Sequence, residues 1–375
     1  MNIGIDGRAA RWYRGTGIGT YTYQLINSLS KVDRVNEYLL FMPEGTHNTM
    51  HLRDNFHVQG ITESKSDSFW DEINIPNILD DSCVELYHVP QNGVGLPYDK
   101  RCKSVITLHD VIPYKMPETV SDRYLKIFHE EIPKIVSTSD GIITVSSYSK
   151  KDIMEAFDYP GERIFVTELA AEDIYHPMDK DLSRCLIKQY YSIDGEYILY
   201  IGGFSPRKNI IGLIEAFSKL NRTNDKDIKL VIAGKQGKSF TDYKNRAAEL
   251  HIEDKVIFPG FVALEHLPYL YSAAEVFVYP SFYEGFGLPP VEAMSCGVPV
   301  ISSNTTSIPE VVKDCAILVN PYDTDELSTA INNVLDDDKL KQELILKGLV
   351  RSSELTWNET ARKTIIAYNK ILNTI

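Results

Sequence analysis

Glu284 and Glu292 stand eight positions apart and bracket Gly285-Phe286-Gly287-Leu288-Pro289-Pro290. Pro289 suits a first helical position, which puts Glu284 in a loop and Glu292 about one turn into a helix. Carboxylates accept hydrogen bonds from sugar or ribose hydroxyls, while amides at a helix start hold negative oxygens. The plainer alternative makes Glu292 a first-turn partner of the helix dipole and Glu284 a loop charge, but it leaves the Gly-Phe-Gly between them unexplained. In Gly202-Gly203-Phe204-Ser205-Pro206-Arg207-Lys208-Asn209, two glycines lead to adjacent cations at a helix start. Such cations suit a diphosphate that gains charge as it leaves; the alternative is a solvated Arg-Lys pair. His109 and Asp110 end an apolar run, where a polar pair touches a sugar, moves a proton, or is a satisfied edge histidine. Gly15, Gly17 and Gly19 lie at the start of a helix beginning near Ile18, so they either admit an anion or serve only as turns. Their G-x-G-x-G spacing, with Thr20 in the third-glycine slot, disfavours a dinucleotide site.

The elements that position these groups follow from apolar patterning. Runs such as Tyr197-Ile198-Leu199-Tyr200-Ile201 and Leu230-Val231-Ile232-Ala233 predict strands buried on both faces, as in parallel sheets covered by helices. Strands are expected at 2–6, 38–43, 84–90, 103–109, 141–146 and 163–168, and again at 197–202, 228–233, 256–258, 276–280, 299–302 and 316–319. Helical patterns at 18–30, 121–138, 148–157, 209–220, 242–250, 289–295, 323–335 and 337–351 fall between them. This alternation, written twice, predicts two doubly wound α/β domains. The length of 375 residues agrees, since single cores stop growing near ~250–300 residues. The expected division is 1–176, a linker 177–194, a second domain 195–356 and a final amphipathic helix 357–375.

Composition narrows the function. The net charge is 39 − 52 = −13, with 20 basic and 30 acidic residues in 1–200, which argues against a nucleic-acid binder. Five cysteines without a C-x-x-C exclude a tidy disulfide framework or a local zinc knuckle and suit a reducing cytosol. No apolar run reaches the ~18–20 residues of a spanning helix, and no secretory leader pattern precedes the first strand. The expectation is a cytoplasmic protein. Arg8, Arg11 and Arg14 supply local charge, which leaves weak peripheral association at the inner membrane face open.

Glu284–Glu292 resembles the E-x7-E motif of the retaining glycosyltransferases of family 4 (group 1), which have the GT-B fold. Gly202-Gly203…Arg207-Lys208-Asn209 is similar to that family's phosphate element. Asp6-Gly7-Arg8…Gly17-Ile18-Gly19-Thr20-Tyr21, His109-Asp110-Val111-Ile112-Pro113 and Val145-Ser146-Ser147-Tyr148-Ser149-Lys150 look like its N-terminal motifs. The resemblance spans nearly the whole chain and is nearest to the mannosyltransferase-like branch that builds bacterial surface polysaccharides. It implies two facing Rossmann-like domains, with a C-terminal helix crossing back onto the first. It also implies that Arg207 and Lys208 hold the donor diphosphate, beside Gly203 of the phosphate element. Glu284 and the amides of Gly285, Phe286, Gly287 and Leu288 then hold the donor sugar and phosphate, and Glu292 binds the ribose. Gly17 lies near the diphosphate, His109 touches the transferred sugar, and Gly234, Lys235, Phe261 and Val262 line the base.

The implied reaction is α-retaining transfer from GDP-mannose or a UDP-sugar to a saccharide or lipid-linked acceptor. No metal or cofactor is called for, since the two cations replace a metal as stabilisers of the leaving diphosphate. Asp336-Asp337-Asp338 reads as a helix-boundary acidic run and not as a metal motif. Acceptor choice is expected on first-domain loops such as 44–83. A catalytically silent donor-binding subunit, and another enzyme on this scaffold such as a sugar-nucleotide epimerase, are the alternatives. Donor base, acceptor and oligomeric state are not legible.

Overall fold

The computed structural model describes residues 1–43, 50, 52–61, 83–223, 227–235, 237 and 239–373. Most of the loop region expected to choose the acceptor, namely 44–49, 51 and 62–82, lies outside them. The chain divides into two compact units, Met1–Leu169 with Thr356–Ile375, and Ala170–Leu355.

The first unit carries a parallel sheet of β1 (Asn2–Asp6), β2 (Glu37–Pro43), β3 (Phe56–Ile61), β4 (Leu86–Val89), β5 (Lys103–Thr107), β6 (Gly141–Thr144) and β7 (Ile164–Val166). Their order is β3-β2-β1-β4-β5-β6-β7, so the winding reverses between β1 and β4. The register there sets Ile3 opposite both Tyr38 and Leu86. Strand β3 is absent from the sequence expectation because it is an edge: only Phe56 and Ile61 are buried, and the four residues between face solvent. A strand that buries one residue at each end leaves no apolar pattern to read. The expected helix 121–138 is two, Asp122–Glu130 and Ile132–Thr138. Pro133 lacks the N–H that a continuous helix needs and so starts a new one.

The second unit repeats the plan with β8 (Glu196–Ile201), β9 (Ile228–Ala233), β10 (Val256–Gly260), β11 (Val276–Tyr279), β12 (Val300–Ser303) and β13 (Ile317–Val319). The order β10-β9-β8-β11-β12-β13 reverses between β8 and β11. Ile198, Leu199, Tyr200, Leu230, Val231, Ile232, Phe277 and Val278 are all fully buried, each aliphatic or Phe side chain contributing roughly 1.5–3 kcal/mol. Lys180–Tyr191, inside the expected linker, is a helix of this unit. Lys180 and Arg184 anchor it to the buried Glu275 carboxylate at 2.6 and 2.9 Å.

Several sequence motifs prove to be helix caps. The Ser146 hydroxyl accepts from the Ser149 amide at 2.9 Å and caps the helix Ser147–Phe157. Asp337, in the acidic run 336–338, accepts from the Leu340 amide at 2.9 Å. Thr356 accepts from the Glu359 amide and starts the last helix, Trp357–Leu372. That helix buries Trp357, Thr360, Ala361, Thr364, Ala367, Tyr368 and Ile371, one stripe at helical period. The Thr360 hydroxyl donates to the Glu168 carbonyl and Lys363 pairs with the Glu168 carboxylate, both within the first unit. No helix among the described residues is long and apolar enough to cross a membrane.

The loop before helix Gly17–Val32 closes tightly on it. A Cβ at Gly19 would collide with the Tyr13 carbonyl, whereas one at Gly17 would meet nothing within 4 Å. Gly19→Ala is therefore expected to cost about 1–3 kcal/mol by overpacking, and Gly17→Ala nothing. Urea unfolding midpoints of the two variants check this; equal midpoints would show that the loop yields freely.

Candidate active site

In doubly wound sheets ligands bind outside the carboxyl ends of the strands, where the winding reverses. In the second unit that place lies between β8 and β11. The loop after β8 turns through Pro206–Lys208 and ends at Asn209, which is left-handed at φ 56°. Its side-chain Nδ2 donates to the Pro280 and Pro321 carbonyls at 3.1 and 2.6 Å, and the Phe282 backbone amide donates to the Arg207 carbonyl at 2.8 Å. These bonds stitch the β8 and β11 loops together and bring Arg207, Lys208 and Glu284 into one cluster.

The cluster is an anion held by two cations. Arg207 Nη1 lies 3.0 Å from Glu284 Oε2, and Lys208 Nζ lies 2.5 Å from Glu284 Oε1. Lys208 also donates to the Tyr279 hydroxyl, whose partner role sequence reading missed. Burial alone would raise the Glu284 carboxyl, but the Arg207 and Lys208 charges outweigh it and bring it down to about 2. Two cations thus converge on one carboxylate. The Glu284 and Lys208 side chains are only 8% and 9% exposed, whereas Arg207 reaches solvent at 19%. Clustered cations at a strand end are the groups that bind an anion such as a diphosphate.

The next loop presents amides to such an anion. Gly287, at φ 97°, caps helix Leu288–Ser295, and a Cβ there would strike Ile308. The Ser307 hydroxyl lies 2.9 Å from the Glu284 carbonyl and 3.1 Å from that of Phe286. The Thr306 hydroxyl accepts from the Glu284 amide at 3.1 Å. The carbonyls are thus drawn to one side, and the Phe286 and Gly287 amides have no acceptor among the described residues.

Glu292 lies in that helix, half-buried, and accepts from the Tyr271 hydroxyl at 2.8 Å. Burial raises its carboxyl, the Tyr271 and Tyr175 hydroxyls oppose that, the Glu172 charge adds to it, and the result is about 7. Tyr175, Tyr271 and Glu172 were not singled out from the sequence; they lie up to 120 positions away and meet only in the fold. Of the residues expected along the base, Gly234 follows β9 directly, while Gly203 of the phosphate element lies two positions after β8. The Gly234 amide donates to the Gly260 carbonyl at 3.0 Å and the Gly202 amide to the Ala233 carbonyl at 3.1 Å, which joins the three loops at the strand ends. Gly203 and Lys235 are exposed, Val262 is buried, and Phe261 is 75% exposed after β10.

In the first unit the half-buried His109 follows β5. Its amide donates to Asn92 Oδ1 at 3.1 Å, and its Nε2 lies 3.0 Å from the Pro90 carbonyl. Burial holds the ring neutral, at about 4, with the Pro90 carbonyl opposing. A neutral ring bonded to a carbonyl carries its proton on Nε2, so Nδ1 keeps a lone pair with no partner among the described residues. Asp110 instead turns back to accept from the Ile112 amide at 3.0 Å. Gly17 is exposed at its helix start. Arg8, expected to supply surface charge, is 3% exposed and pairs with Asp6 at 2.7 Å, because the buried Asp6 carboxylate at the end of β1 needs a cation. Gln91 also donates to Asp6, at 2.5 Å.

Between about pH 7 and 5 the imidazoles of the first unit and Glu292 of the second respond oppositely to acid. His88 is held at about 3 by burial and by His109, and His109 at about 4, while an unfolded imidazole takes up its proton near 6.5. Their stability contribution is full above about 6.5 and is lost as pH falls. Two protons at ~1.4 kcal/mol per pH unit each give up to roughly 2.7 kcal/mol per unit in the first unit. Glu292 works the other way: its raised carboxyl contributes below 4.5 and loses that contribution as pH rises through about 7. Hydrogen exchange, corrected for intrinsic rate, is expected to show β4 and β5 less protected at about pH 5 than at 7, and the helix bearing Glu292 more protected. Unchanged protection of β4 and β5 would mean the imidazoles charge without unfolding.

Comparison with known proteins identifies the family. The model of the family "Glycosyl transferases group 1" matches residues 188–349, which contain the cation pair and both carboxylates. "O-antigen chain mannosyltransferase B" of Escherichia coli is 32% identical over 95% of this chain and 96% of its own. Among solved structures, sucrose-phosphate synthase of Thermosynechococcus elongatus superposes with TM-score 0.76 at 20% identity, covering 99% of this chain and 98% of that one. Anabaena HepE, solved with UDP and glucose, gives TM-score 0.76 at 17% identity over 99% and 100%. A relative matched along its whole length, and two doubly wound units with anion-ready loops at a switch point, lead to one family: the chain belongs to the group 1 glycosyltransferases and has their GT-B fold.

Proposed function

We propose that this protein is a retaining glycosyltransferase. It moves a mannosyl residue, or failing that a glucosyl one, from a nucleoside-diphosphate donor to a saccharide or glycoconjugate acceptor of a cell-surface polysaccharide. The observation that carries the reading is the Glu284 carboxylate clamped between Arg207 and Lys208 at the β8/β11 switch point, beside the Phe286 and Gly287 amides. The mannosyl choice rests on the E. coli relative's name at 32% identity.

The second unit holds the donor and the first holds the acceptor. Arg207, Lys208 and the Phe286 and Gly287 amides bind the diphosphate, and Gly17 approaches it. Glu284 holds the sugar, and Glu292 accepts from the ribose hydroxyls. Gly203, Gly234, Lys235, Phe261 and Val262 border the nucleotide, with Gly285 and Leu288 completing the amide loop. The His109 Nδ1 lone pair accepts from a hydroxyl of the transferred sugar. The acceptor oxygen attacks the anomeric carbon on the face the diphosphate leaves. The bond from that carbon to the phosphate oxygen breaks, and the acceptor proton passes to the departing diphosphate. The charge that develops there falls to Arg207 and Lys208, so no metal is required. A lipid-linked acceptor would bring the protein to the inner face of the membrane.

A thermal-shift screen against GDP-, UDP-, ADP- and dTDP-sugars in EDTA, with NAD as control, tests this. A ligand at ~100 times its Kd adds about 2.7 kcal/mol. GDP-mannose is expected to raise Tm in EDTA and to release GDP when a mannoside acceptor is added. A shift with NAD alone would overturn the reading, and a donor shift without turnover under any acceptor would favour a silent subunit.

A further inference from the structure

A buried polar chain in the first unit leads from the last helix to His109. The Tyr368 hydroxyl lies 2.7 Å from His88 Nδ1, His88 Nε2 lies 2.8 Å from Thr107 Oγ1, and Thr107 Oγ1 lies 3.0 Å from the Tyr21 hydroxyl. The Tyr21 ring then meets the His109 ring edge-on, with centroids 4.7 Å apart. Tyr21, His88, Thr107 and Tyr368 are each 0% exposed, and they come from helix Gly17–Val32, β4, β5 and helix Trp357–Leu372.

His88 is neutral, so one ring nitrogen donates and the other accepts. Tyr368 bonds only to His88 among the described residues, and Thr107 Oγ1 joins His88 Nε2 to the Tyr21 hydroxyl. The chain locks the Tyr21 ring, which cannot tilt without breaking the bond at its hydroxyl. The locked ring and the Pro90 carbonyl together set the plane of the His109 imidazole.

We propose that Tyr368, His88, Thr107 and Tyr21 are positioning residues for His109, which makes the last helix of the chain a working part of the first unit's reaction site. The inference rests on the reading of His109 as a contact to the transferred sugar. None of the four touches the reacting atoms; they act through the ring.

The test compares Tyr368→Phe, Thr107→Val, Thr107→Ser and His109→Ala in the full chain. Turnover is GDP release from GDP-mannose with mannobiose, and the rings are followed by imidazole 15N signals. Tyr368→Phe and Thr107→Val are expected to lower kcat about tenfold, as a small misplacement of a contact group does, with donor KM within about twofold. They should also shift or broaden the His109 signals. Thr107→Ser, which keeps the hydroxyl, should recover most of the loss even if the valine variant proves too unstable to assay. Unmoved His109 signals in Tyr368→Phe overturn the proposal, as does wild-type kcat in that variant while His109→Ala is impaired. If His109→Ala is itself fully active, the sugar-contact reading fails. In that case the imidazole signals alone still decide whether the chain holds the ring.

Discussion

Lys208→Ala is expected to lower kcat by about 10²–10³, the loss typical when one donor to a developing oxyanion is removed. The effect falls on kcat because the ammonium matters most when the diphosphate gains charge on leaving. With Lys208 the cluster carries one net positive charge; without it, Arg207 and Glu284 cancel. The fold should survive, because Glu284 keeps the Arg207 pair at 3.0 Å and the Tyr279 hydroxyl, relieved of the ammonium, can turn to the carboxylate. Lys208→Arg should rescue poorly, since a 9% exposed slot shaped for an ammonium has no room for a planar fork. Steady-state GDP release measures both variants. Normal turnover in Lys208→Ala would remove Lys208 from the mechanism and leave it a structural counter-ion.

Glu284→Gln is expected to have the largest effect on stability. It removes the only anion of the cluster and leaves two cations facing each other around a neutral amide. Breaking a buried ion pair from one side costs about 3–5 kcal/mol, because the remaining charge is uncompensated. At roughly 2–4 °C per kcal/mol for a unit of this size, Tm should fall by about 6–20 °C. The carboxyl is held at about 2 in the fold against 4.5 unfolded, so its contribution is full above 4.5 and lost as pH falls toward 2. The Tm difference between wild type and variant should therefore shrink in acid. Inorganic pyrophosphate should raise the variant's Tm more than the wild type's, since the site then holds two spare positive charges. An unchanged Tm would mean that the two cations are hydrated and the ion pairs weigh little.

The parallel strands were legible because each is buried on both faces. A run such as Leu230-Val231-Ile232-Ala233 has no reading other than a core strand once Gly234 ends it. The exposed edge strand Phe56–Ile61 was not legible, since neither face is continuously apolar. The Pro133 break inside 121–138 was in principle readable, because proline at a second helical position is a start signal. Short helices such as Leu267–Ser272 and Ile308–Val312 offer too few turns for a periodicity. At the site, Glu284, Arg207, Lys208 and Glu292 were readable because glycines and helix starts surround them. Tyr279 and Tyr271 were not, since a tyrosine within an apolar run looks like any other core residue, and Tyr175 stands in a polar stretch with no motif around it.

The sequence by itself determined the buried strands, the longer helices and the glycine-bearing loops at their ends, because burial pattern and turn residues act over short stretches of chain. Only the tertiary structure decided which charges meet. It placed Arg8 inside against Asp6, though three neighbouring arginines suggested a basic surface. It closed two cations on one carboxylate across 76 positions, and it set Tyr368 against His88 across 280. Coulomb energy and hydrogen-bond satisfaction depend on distance in space and on the exclusion of water. Neither is defined until strand order and helix packing have brought remote segments together.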